Sequence, residues 1–382
     1  MPKKLPAELE DEILYRVPPL SLARFRTVCK QWNTLYNDKR FINNHLACVR
    51  PQFILRTENS KIYSIGINLD DSLEVRELNL ETHDQGPDKK LKLYRNMFYC
   101  DGFLLCPALP REVAIWNPWL RERQTKWIEP KRNRFNLYGL GYDNGRPDKE
   151  YKILGLSYGF SQEMDDGSDT KIDPRVSIYE FATNAWKDCK FGLLDWHVRS
   201  PRTVLSLNGT LYWIAKRFES GDTFIQSFDF SSERFKPFCF LPCKNDFGDT
   251  QILEVFRGDR ISVLEQCKTT KKVKIWVTKN MITGDMKEIV SWRLLMTVSI
   301  PDFPRLQNHT RCNSQPSYYV DNNDDKRLIV CTCDEIGKPC VYIVKGDRFK
   351  KIQMGFEVDP WPFHLVYVPS LVPIPLVQEQ RE

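Results

Sequence analysis

The spacing of apolar residues changes once along this chain, near residue 50, and the change divides the sequence into two parts. In the first part, Leu9, Ile13, Leu14 and Val17 stand at i, i+4, i+5 and i+8, which places them on one face of a helix. From Pro51 onward, apolar residues form short runs rich in β-branched and aromatic side chains, bounded by Gly, Pro, Asn or Asp. The sequence therefore predicts α+β by segments: a small all-α module followed by a large all-β domain.

Prolines and capping residues set the expected bounds of the short N-terminal helices. Pro6 suits the first turn of a helix, where a missing N–H costs little, and Pro18-Pro19 stops that helix. Ser21 is the expected N-cap of a second helix, and Asp38 that of the last one. A unit of about 40 residues rarely buries so many large apolar groups within itself. We therefore expect part of its apolar face to dock on another surface.

The residues of this module form one extended pattern. In chain order the pattern consists of Leu5, Pro6, Leu9, Glu12, Ile13, Leu14, Val17, Pro18, Ser21, Leu22, Arg24, Arg26, Val28, Cys29, Lys30, Trp32, Asn33, Leu35, Asp38, Phe41, His45 and Leu46. It resembles an F-box, in the form found in the large plant family of F-box proteins that carry an F-box-associated domain. Because the resemblance extends over the whole module, it is more specific than any short motif.

The resemblance implies a partner for the exposed apolar face. An F-box docks the Skp adaptor of an SCF-type cullin-RING ubiquitin ligase, which links it to the cullin and RING subunits. The residues to which the resemblance assigns adaptor binding are Leu5, Pro6, Leu9, Ile13, Leu14, Val17, Pro18, Leu22, Val28, Cys29 and Trp32. The alternative interpretation is an incidental helical cap on the β domain.

Many short strands are predicted after the module. The expected strands are residues 52–57, 61–68, 73–80, 97–106, 112–117, 135–143, 149–158, 175–181, 203–207, 210–216, 223–230, 234–240, 252–257, 260–266, 271–278, 318–320, 326–332 and 341–345. No long helix is required anywhere in this region.

A loose internal repeat runs through these strands. Trp116, Tyr179, Phe228, Trp276 and Tyr342 each stand near the end of an apolar strand, and they are 63, 49, 48 and 66 positions apart. A period near 50 residues with insertions is typical of kelch-like propeller blades. At four strands per blade, the strands predict a propeller of about six blades. Large aromatic residues at repeat positions usually pack blades together, so Trp116, Trp213 and Trp276 are expected to be buried between sheets.

A turn followed by an apolar strand also recurs, at Asp101-Gly102, Asn208-Gly209 and Gly258-Asp259. The β region in addition resembles the F-box-associated domain, in landmarks such as Trp116-Asn117-Pro118 and Tyr212-Trp213-Ile214-Ala215. That resemblance implies a propeller-like domain that recruits substrates. We expect three units: the F-box in residues 1–47, the interaction domain in 50–372 and a C-terminal tail in 373–382. The short linker predicts rigid coupling of the first two.

Composition excludes several functional classes. Of the 382 residues, 41% are hydrophobic and 28% charged, which is ordinary for globular domains. The net charge of +6 is modest and its basic residues are interspersed with acidic ones, so neither nucleic acid nor a membrane surface is the expected partner. No apolar run approaches the ~20 residues that span a bilayer, and Met1-Pro2-Lys3-Lys4 leads directly into the first helix without a signal peptide. We expect a soluble intracellular protein of the nucleus or cytoplasm.

Cysteines and acidic clusters raise the question of a metal. The twelve cysteines are scattered, and many lie in strand-like runs where a thiol behaves as a small hydrophobe. Cys331, Cys333 and Cys340 come closest to a zinc cluster but have no second pair or nearby histidine pair. The acidic residues within 163–169 and 321–325 lack EF-hand spacing. The sequence therefore predicts no metal and no cofactor.

Two functions from different classes remain. The five histidines are far apart, and Gly139-Leu140-Gly141 lacks the third glycine of a dinucleotide-binding motif, so no catalytic residue is predicted. The favoured function is a non-catalytic substrate receptor of a ubiquitin ligase, in which the helices bind the adaptor and the β domain holds an unknown target protein. The alternative is a stand-alone propeller enzyme or ligand-binding protein with an incidental helical cap.

Overall fold

The computed structural model describes most of the chain. The described residues are 5–25, 28–35, 38–80, 92–93, 96–109, 112–120, 125–131, 135–146, 148–160, 172–199, 204–243, 248–283, 289–306, 314–321, 326–355 and 358–375. Some residues considered in the sequence lie outside this part of the chain. They are His83, His309, Cys312, the acidic residues of 163–169, and residues 132–134 and 322–325.

Four short helices form the N-terminal module: α1 (Ala7–Leu14), α2 (Pro19–Phe25), α3 (Lys30–Leu35) and α4 (Lys39–Cys48). Pro6 is the N-cap of α1, and the Asp38 carboxylate accepts the Phe41 N–H at 2.8 Å, as expected for a helix cap. Ser21 lies inside α2 and does not cap it, so that prediction is wrong. Pro19 begins α2, because a proline loses no hydrogen bond in the first turn.

The module has a small core of its own. Leu14, Leu22, Phe41 and Ile42 are buried together, and Tyr15 packs on Phe41 with ring centroids 5.1 Å apart. This apolar cluster joins α1, α2 and α4, which are individually too short to be stable helices in water. Tertiary packing therefore holds the module together.

The remaining chain forms strands. In chain order they are β1 (Gln52–Arg56), β2 (Ile62–Ile67), β3 (Leu73–Leu78), β4 (Lys92–Leu93), β5 (Phe98–Cys100), β6 (Phe103–Leu109), β7 (Glu112–Trp116), β8 (Thr125–Ile128), β9 (Leu137–Asp143), β10 (Glu150–Phe160), β11 (Ile172–Glu180), β12 (Ala185–Cys189), β13 (Trp196–Val198), β14 (Leu205–Leu207), β15 (Thr210–Arg217), β16 (Thr223–Asp229), β17 (Arg234–Phe240), β18 (Thr250–Phe256), β19 (Arg260–Gln266), β20 (Val273–Thr278), β21 (Trp292–Val298), β22 (Ser317–Asp321), β23 (Arg327–Cys333), β24 (Pro339–Lys345), β25 (Arg348–Gln353) and β26 (Phe363–Tyr367).

These strands form six antiparallel sheets, which are the six blades of a propeller. From the innermost strand outward, blade 1 is β26-β1-β2-β3 and blade 2 is β5-β6-β7-β8, with β4 also on β6. Blade 3 is β9-β10-β11-β12, and blade 4 is β14-β15-β16-β17, with β13 also on β15. Blade 5 is β18-β19-β20-β21, and blade 6 is β22-β23-β24-β25. The predicted fold class and the blade number are confirmed.

Blade 1 closes the ring with strands from both ends of the β domain. The first strand β1 pairs with the last strand β26, with Phe53 opposite Val366 and Leu55 opposite His364. This pairing leaves neither strand with an open edge on that side. The innermost strands of successive blades contact one another around the whole ring. Closure of the propeller therefore depends on one antiparallel pair.

Six apolar clusters separate the six blades, one at each interface. Central strands are consequently buried on both faces; every residue of β23 is buried, and so are six of the seven in β19. This two-sided burial explains why these strands read as apolar runs rather than as an alternation.

The aromatic repeat marks one structural position. Trp116, Tyr179, Phe228, Trp276 and Tyr342 all lie in the third strand of their blades, from blade 2 to blade 6. Blade 1 is absent from the repeat, although β2 occupies the same place.

The expected burial of three tryptophans is confirmed for Trp116 and Trp213. Trp276 is only half-buried, and its indole N–H donates to the Glu265 carboxylate at 3.1 Å. Trp213 lies in the second strand of its blade, so the three tryptophans do not share one repeat position.

The recurring turns join the first and second strands of blades 2, 4 and 5. Their central pairs are Asp101-Gly102, Asn208-Gly209 and Arg257-Gly258, and every one of these residues has positive φ. Positive φ at both central residues is the type I′ geometry that matches the twist of a hairpin.

Gly102→Ala tests one of these turns. A Cβ at Gly102 would lie 2.0 Å from the Ser370 Cβ at a φ of +90°, so steric overlap adds to backbone strain. We expect this variant to lose about 2–4 kcal/mol of stability, from strain plus overpacking. Chemical denaturation followed by tryptophan fluorescence measures the loss.

Gly258→Ala is the matched control for this prediction. Its φ is also positive, but a Cβ there would meet nothing within 4 Å. It should lose only about 1 kcal/mol, the strain alone. Equal losses in the two variants would show that contact with Ser370 contributes nothing.

Candidate functional site

The adaptor-binding residues predicted from sequence fall into two groups in the folded module. Leu5, Leu9, Ile13 and Val28 are large apolar side chains that are 55%, 52%, 54% and 64% exposed. Leu9 and Ile13 are four residues apart on α1, and Leu5 continues the same spacing. Pro6, Pro18 and Cys29 are also exposed. We call the exposed apolar surface formed by Leu5, Pro6, Leu9, Ile13, Pro18, Val28 and Cys29 the docking stripe.

The second group lies inside the module. Leu14 and Leu22 are buried in its core, and Val17 and Trp32 pack against that core. The Trp32 indole N–H donates to the Glu10 carboxylate, and its ring lies 5.3 Å from that of Phe25. These four side chains therefore support the helices that carry the docking stripe.

A buried histidine fixes the junction of α1 and α4. His45 on α4 is fully buried, and its Nε2 lies 2.9 Å from the Val17 carbonyl oxygen. Burial lowers the pKa of His45, so the ring is neutral at physiological pH and Nε2–H donates to that carbonyl. The contact attaches the segment after α1 to the last helix.

The core of the module is completed by the far end of the chain. Leu371 is 3% exposed and lies in the same cluster as Leu14, Leu22 and Phe41. Residues 368–374, which we call the C-terminal strap, follow β26 directly. The strap thus inserts an apolar side chain of the propeller domain between the helices.

The strap is anchored to blade 2 by hydrogen bonds. The Asn117 amide, which is buried, donates to the carbonyl oxygens of Ser370 at 3.1 Å and Val372 at 2.9 Å. The Tyr367 hydroxyl donates to the Gly102 carbonyl at 2.8 Å. Ile374 is buried in the cluster between blades 2 and 3. The strap therefore contacts the helical module through Leu371 and the propeller through Ser370, Val372 and Ile374.

The module lies on one particular face of the propeller. The type I′ turns of blades 2, 4 and 5 form this face, and residues of these turns and of the module, such as Asn208, Asp259 and Leu46, line a common cavity. Lys39 on α4 also pairs with Asp148 in the β9–β10 turn. We call this side the module face.

The opposite side, the distal face, carries the turns that join the second and third strands. These include residues 57–61, 218–222, 267–272 and 334–338. Because antiparallel strands alternate direction within a blade, these turns lie at the other end of the strands from the module. Ile336, at the tip of one of them, is 67% exposed.

The residues considered for catalysis or metal binding do not assemble into one site. Within the described ranges, His45, His197 and His364 belong to different elements, and no group of three or more His, Cys, Asp or Glu side chains is placed to hold a metal ion. Cys331, Cys333 and Cys340 are buried, and burial raises the thiol pKa of Cys333 to about 12 and that of Cys340 to about 11. Among the helices described, none is long and apolar enough to cross a membrane.

Sequence reasoning missed the part played by Leu371. The expected unit of residues 50–372 places Leu371 in the β domain alone. An apolar residue beyond the last strand does not indicate that it packs on helices some 350 positions earlier, since that contact exists only in the closed ring.

The fold and the site together define a class: an interaction protein in which a helical docking module is fixed on one face of a propeller. Two family models match the chain, the F-box domain over residues 3–43 and the F-box associated beta propeller domain over residues 52–374. This chain belongs to the plant family of F-box proteins with a C-terminal F-box-associated propeller domain. F-box domains generally bind a Skp adaptor, and proteins of this kind are typically non-catalytic adaptors.

Two relatives agree with this membership, and one solved structure is given for comparison only. The Arabidopsis thaliana protein At3g16590 is 82% identical, over 98% of this chain and 100% of its own length. F-box protein At3g17710 from the same plant is 44% identical, over 99% of each chain. Among solved structures, TolB from Acinetobacter baumannii aligns with a TM-score of 0.44 at 12% identity, covering 86% of this chain and 70% of that one.

Leu371→Ala tests the role of the C-terminal strap. Removing a fully buried leucine side chain costs about 2–5 kcal/mol, and here the loss falls on the core of the helical module. We expect faster amide hydrogen exchange in α1, α2 and α4, with the exchange of the central strands unchanged. Hydrogen exchange with mass spectrometry reads both regions in one experiment.

The control for this prediction is Leu193→Ala, because Leu193 is 62% exposed and lies between β12 and β13. It should leave exchange in the module unchanged. Unaltered exchange in Leu371→Ala would mean that the module is stable without the strap.

Proposed function

We propose that this protein is the substrate-recognition subunit of an SCF-type cullin-RING E3 ubiquitin ligase. The F-box docks the Skp adaptor and, through it, the cullin and RING subunits, while the propeller recruits a target protein. The observation that carries the proposal is the docking stripe, because Leu5, Leu9, Ile13 and Val28 are each more than half exposed on an F-box that buries Leu14, Leu22, Phe41 and Ile42. Large exposed apolar side chains that recur on one helix face, as Leu9 and Ile13 do, are typical of protein interaction sites.

The two groups of adaptor-binding residues have different parts in this proposal. Residues of the docking stripe make the contact with the adaptor. Leu14, Val17, Leu22 and Trp32 act from within, because they hold α1 and α2 in the orientation that presents the stripe. Truncating a stripe residue then weakens the contact alone, whereas truncating Leu14 or Leu22 also unfolds the module.

The target is proposed to bind on the distal face of the propeller. The helical module and the strap lie on the module face, so an adaptor on the docking stripe and a target on the distal face do not compete for space. Loops on a rigid scaffold are the usual place for specificity. Residues 1–47 and 50–372 are the docking and recruiting units of this scheme, and residues 373–382 are its C-terminal segment, of which Ile374 packs into the propeller.

The chain would contribute proximity rather than chemistry. Holding a target beside the charged conjugating enzyme converts ubiquitin transfer into an effectively intramolecular step, which raises the effective concentration of target lysines. A rigid connection keeps that concentration high, and the Leu371 contact supports such a connection. The protein would act in the nucleus or cytoplasm, with neither nucleic acid nor membrane as a partner.

The double variant Leu9→Ala with Ile13→Ala tests adaptor docking. Both side chains are exposed, so their removal should leave thermal unfolding nearly unchanged. We expect adaptor binding to weaken by at least about tenfold, because central apolar anchors dominate interface energetics. Isothermal titration calorimetry of the purified full-length chain with the Skp adaptor measures the loss.

A double control with matched exposure is Leu193→Ala with Ile336→Ala, which removes exposed apolar side chains from the propeller. Adaptor affinity should stay at the wild-type value in this variant. If the Leu9 and Ile13 variant also bound the adaptor as the wild type does, the stripe would not be the docking surface.

The same stripe variant separates recruitment from ubiquitination in cells. Because its propeller is unaltered, it should still capture the targets but not bring them to the ligase. Overexpression should therefore raise the level of those targets and lower their ubiquitination, by mass-action competition with the wild-type chain. Quantitative proteomics of proteins co-purified with the two forms provides the measurement, and loss of target capture by the variant would contradict the division of labour.

A further inference from the structure

The propeller surrounds a large central cavity. Its volume is about 1520 Å³, and its wall includes inner-strand residues of β5, β14, β18, β22 and β26. Strands β5 and β14 contact each other, and the Ser206 hydroxyl donates to the Cys100 sulfur at 3.3 Å. Strand β9 contributes only Tyr142 to the lining of the cavity. The exposed residues Leu69 and Asp70 also line the cavity, on the module face. The cavity is therefore reachable from that side.

One wall of the cavity is polar. Glu254 on β18, Ser262 on β19, Ser317 on β22 and His364 on β26 all line it, and these strands belong to blades 5, 6 and 1. The Ser262 hydroxyl donates to the Glu254 carbonyl at 3.2 Å and accepts from the Tyr318 hydroxyl at 2.9 Å. The Ser317 hydroxyl lies 2.7 Å from the His364 Nδ1. A hydrogen-bonded framework thus fixes the side chains of three adjacent blades.

Two groups on this wall are left without a matching partner. His364 is 5% exposed, and its Nε2, at the opposite side of the ring from the Ser317 contact, makes no hydrogen bond within the described residues. Glu254 is half-buried, and no ion pair joins its carboxyl to a cation in the part of the chain that the structure describes. Buried polar groups are normally hydrogen-bonded and buried carboxylates paired, so each group has an unused capacity for a ligand.

The electrostatics of the wall agree with this geometry. Burial raises the pKa of Glu254 to about 8, against a smaller opposing effect of the Val255 amide. Burial also lowers the pKa of His364 to about 3, so that ring is neutral at physiological pH. With a pKa of about 8, the Glu254 carboxyl is mostly protonated and uncharged at neutral pH while no cation lies beside it, and the His364 ring is neutral as well. A cation bound beside Glu254 would favour the carboxylate, so its binding releases that proton and strengthens as the pH rises towards 8.

We propose that the central cavity of the propeller binds a small organic ammonium ion, with Glu254 as its charge partner and His364 as a hydrogen-bonding partner. A divalent metal fits this wall less well, because hard cations require several oxygen ligands and Glu254 alone is acidic among Glu254, Ser262, Ser317 and His364. The other acidic residues that line the cavity lie towards its module-face end, where Arg16, Arg50, Lys149 and Arg257 also lie: Asp70, Glu74, Asp101, Asp259 and Asp321. Phe256, Tyr319 and Phe363 also line the cavity, so an aromatic body with an ammonium end matches its chemistry. This proposal is independent of adaptor docking.

The cavity also connects the two domains. Arg16, Pro18 and Leu46 of the F-box module line it together with the propeller strands. The cavity is therefore bordered by both the recruiting domain and the docking module.

Tyramine and tyrosol test the proposal with the full-length protein. The two probes are close in size and share a phenol ring, but tyramine ends in an ammonium group where tyrosol has a neutral hydroxyl. We expect tyramine to bind at least about tenfold more tightly at pH 8, where Glu254 is about half ionised, because charge-assisted hydrogen bonds to a carboxylate are strong. Isothermal titration calorimetry and the shift in thermal unfolding measure both affinities.

Three variants locate the contact. Glu254→Gln keeps the shape but removes the charge, and it should reduce tyramine binding to the level of tyrosol. Glu254→Asp keeps the charge and should retain a preference for tyramine, which makes the test informative even if the glutamine variant is unstable. Glu219→Gln, an exposed carboxylate in the β15–β16 turn, is the control and should bind tyramine as the wild type does.

Three results would each overturn the proposal. They are equal binding of the two probes, no binding of tyramine, and tyramine binding that is unchanged in Glu254→Gln. Adaptor titrations of the same variants stay at the wild-type affinity in every one of these cases, so failure here is distinguishable from failure of the proposed ligase function.

Discussion

The antiparallel pairing of β1 with β26 is the interaction on which the rest of this structure depends. It brings the two ends of the β domain into one blade, so that the ring is closed by backbone hydrogen bonds. Each inter-blade cluster needs a blade on both sides, and the clusters flanking blade 1 exist only when this pair is formed. A propeller in which this pair is open would expose Phe53, Leu55 and Ile54, all of which are fully buried here.

Closure also determines where the F-box is held. The strap begins where β26 ends, and β26 lies beside β1, which follows α4 after a few residues. The pairing therefore delivers Leu371 to the helices and the helices to the same face of the ring. An F-box of this length cannot enclose its apolar residues alone. Closing the propeller therefore also supplies Leu371 to the core of the F-box.

The accuracy of the sequence predictions varied with the place of each strand in its blade. Central strands such as β10, β19 and β23 are buried on both faces and carry apolar runs that are recognisable in the sequence. Four outermost strands, β8, β12, β21 and β25, were not predicted, whereas the outermost strands β3 and β17 were; the short strands β4 and β13 and the innermost strand β26 were also missed. Strand β25 is largely exposed and contains Arg348, Lys350 and Lys351, so neither apolar content nor turn residues distinguish it from a loop. Pairing with the neighbouring strand makes such a segment extended.

The innermost strand of blade 1, β26, was missed for a different reason. It comes from the C-terminal end of the chain, so no local spacing in the sequence reveals that it pairs with β1. The polar wall of the cavity was likewise beyond local patterns, since Glu254, Ser317 and His364 are brought together only by the ring. Local patterns also do not show which F-box residues are exposed and which are buried. Helical spacing places Ile13 and Leu14 on one apolar face, but only the folded module shows that Leu14 is buried in the core and Ile13 is exposed.

The sequence by itself determined the two modules, the helix cap at Asp38, the turn at Asn208-Gly209 and the approximate blade period, because each depends on residues close together along the chain. Only the tertiary structure decided the closure by β26, the insertion of Leu371 into the F-box, the face on which the helices lie and the composition of the central cavity. These features depend on contacts between residues hundreds of positions apart, and such contacts are fixed by packing and loop closure rather than by local conformational preference.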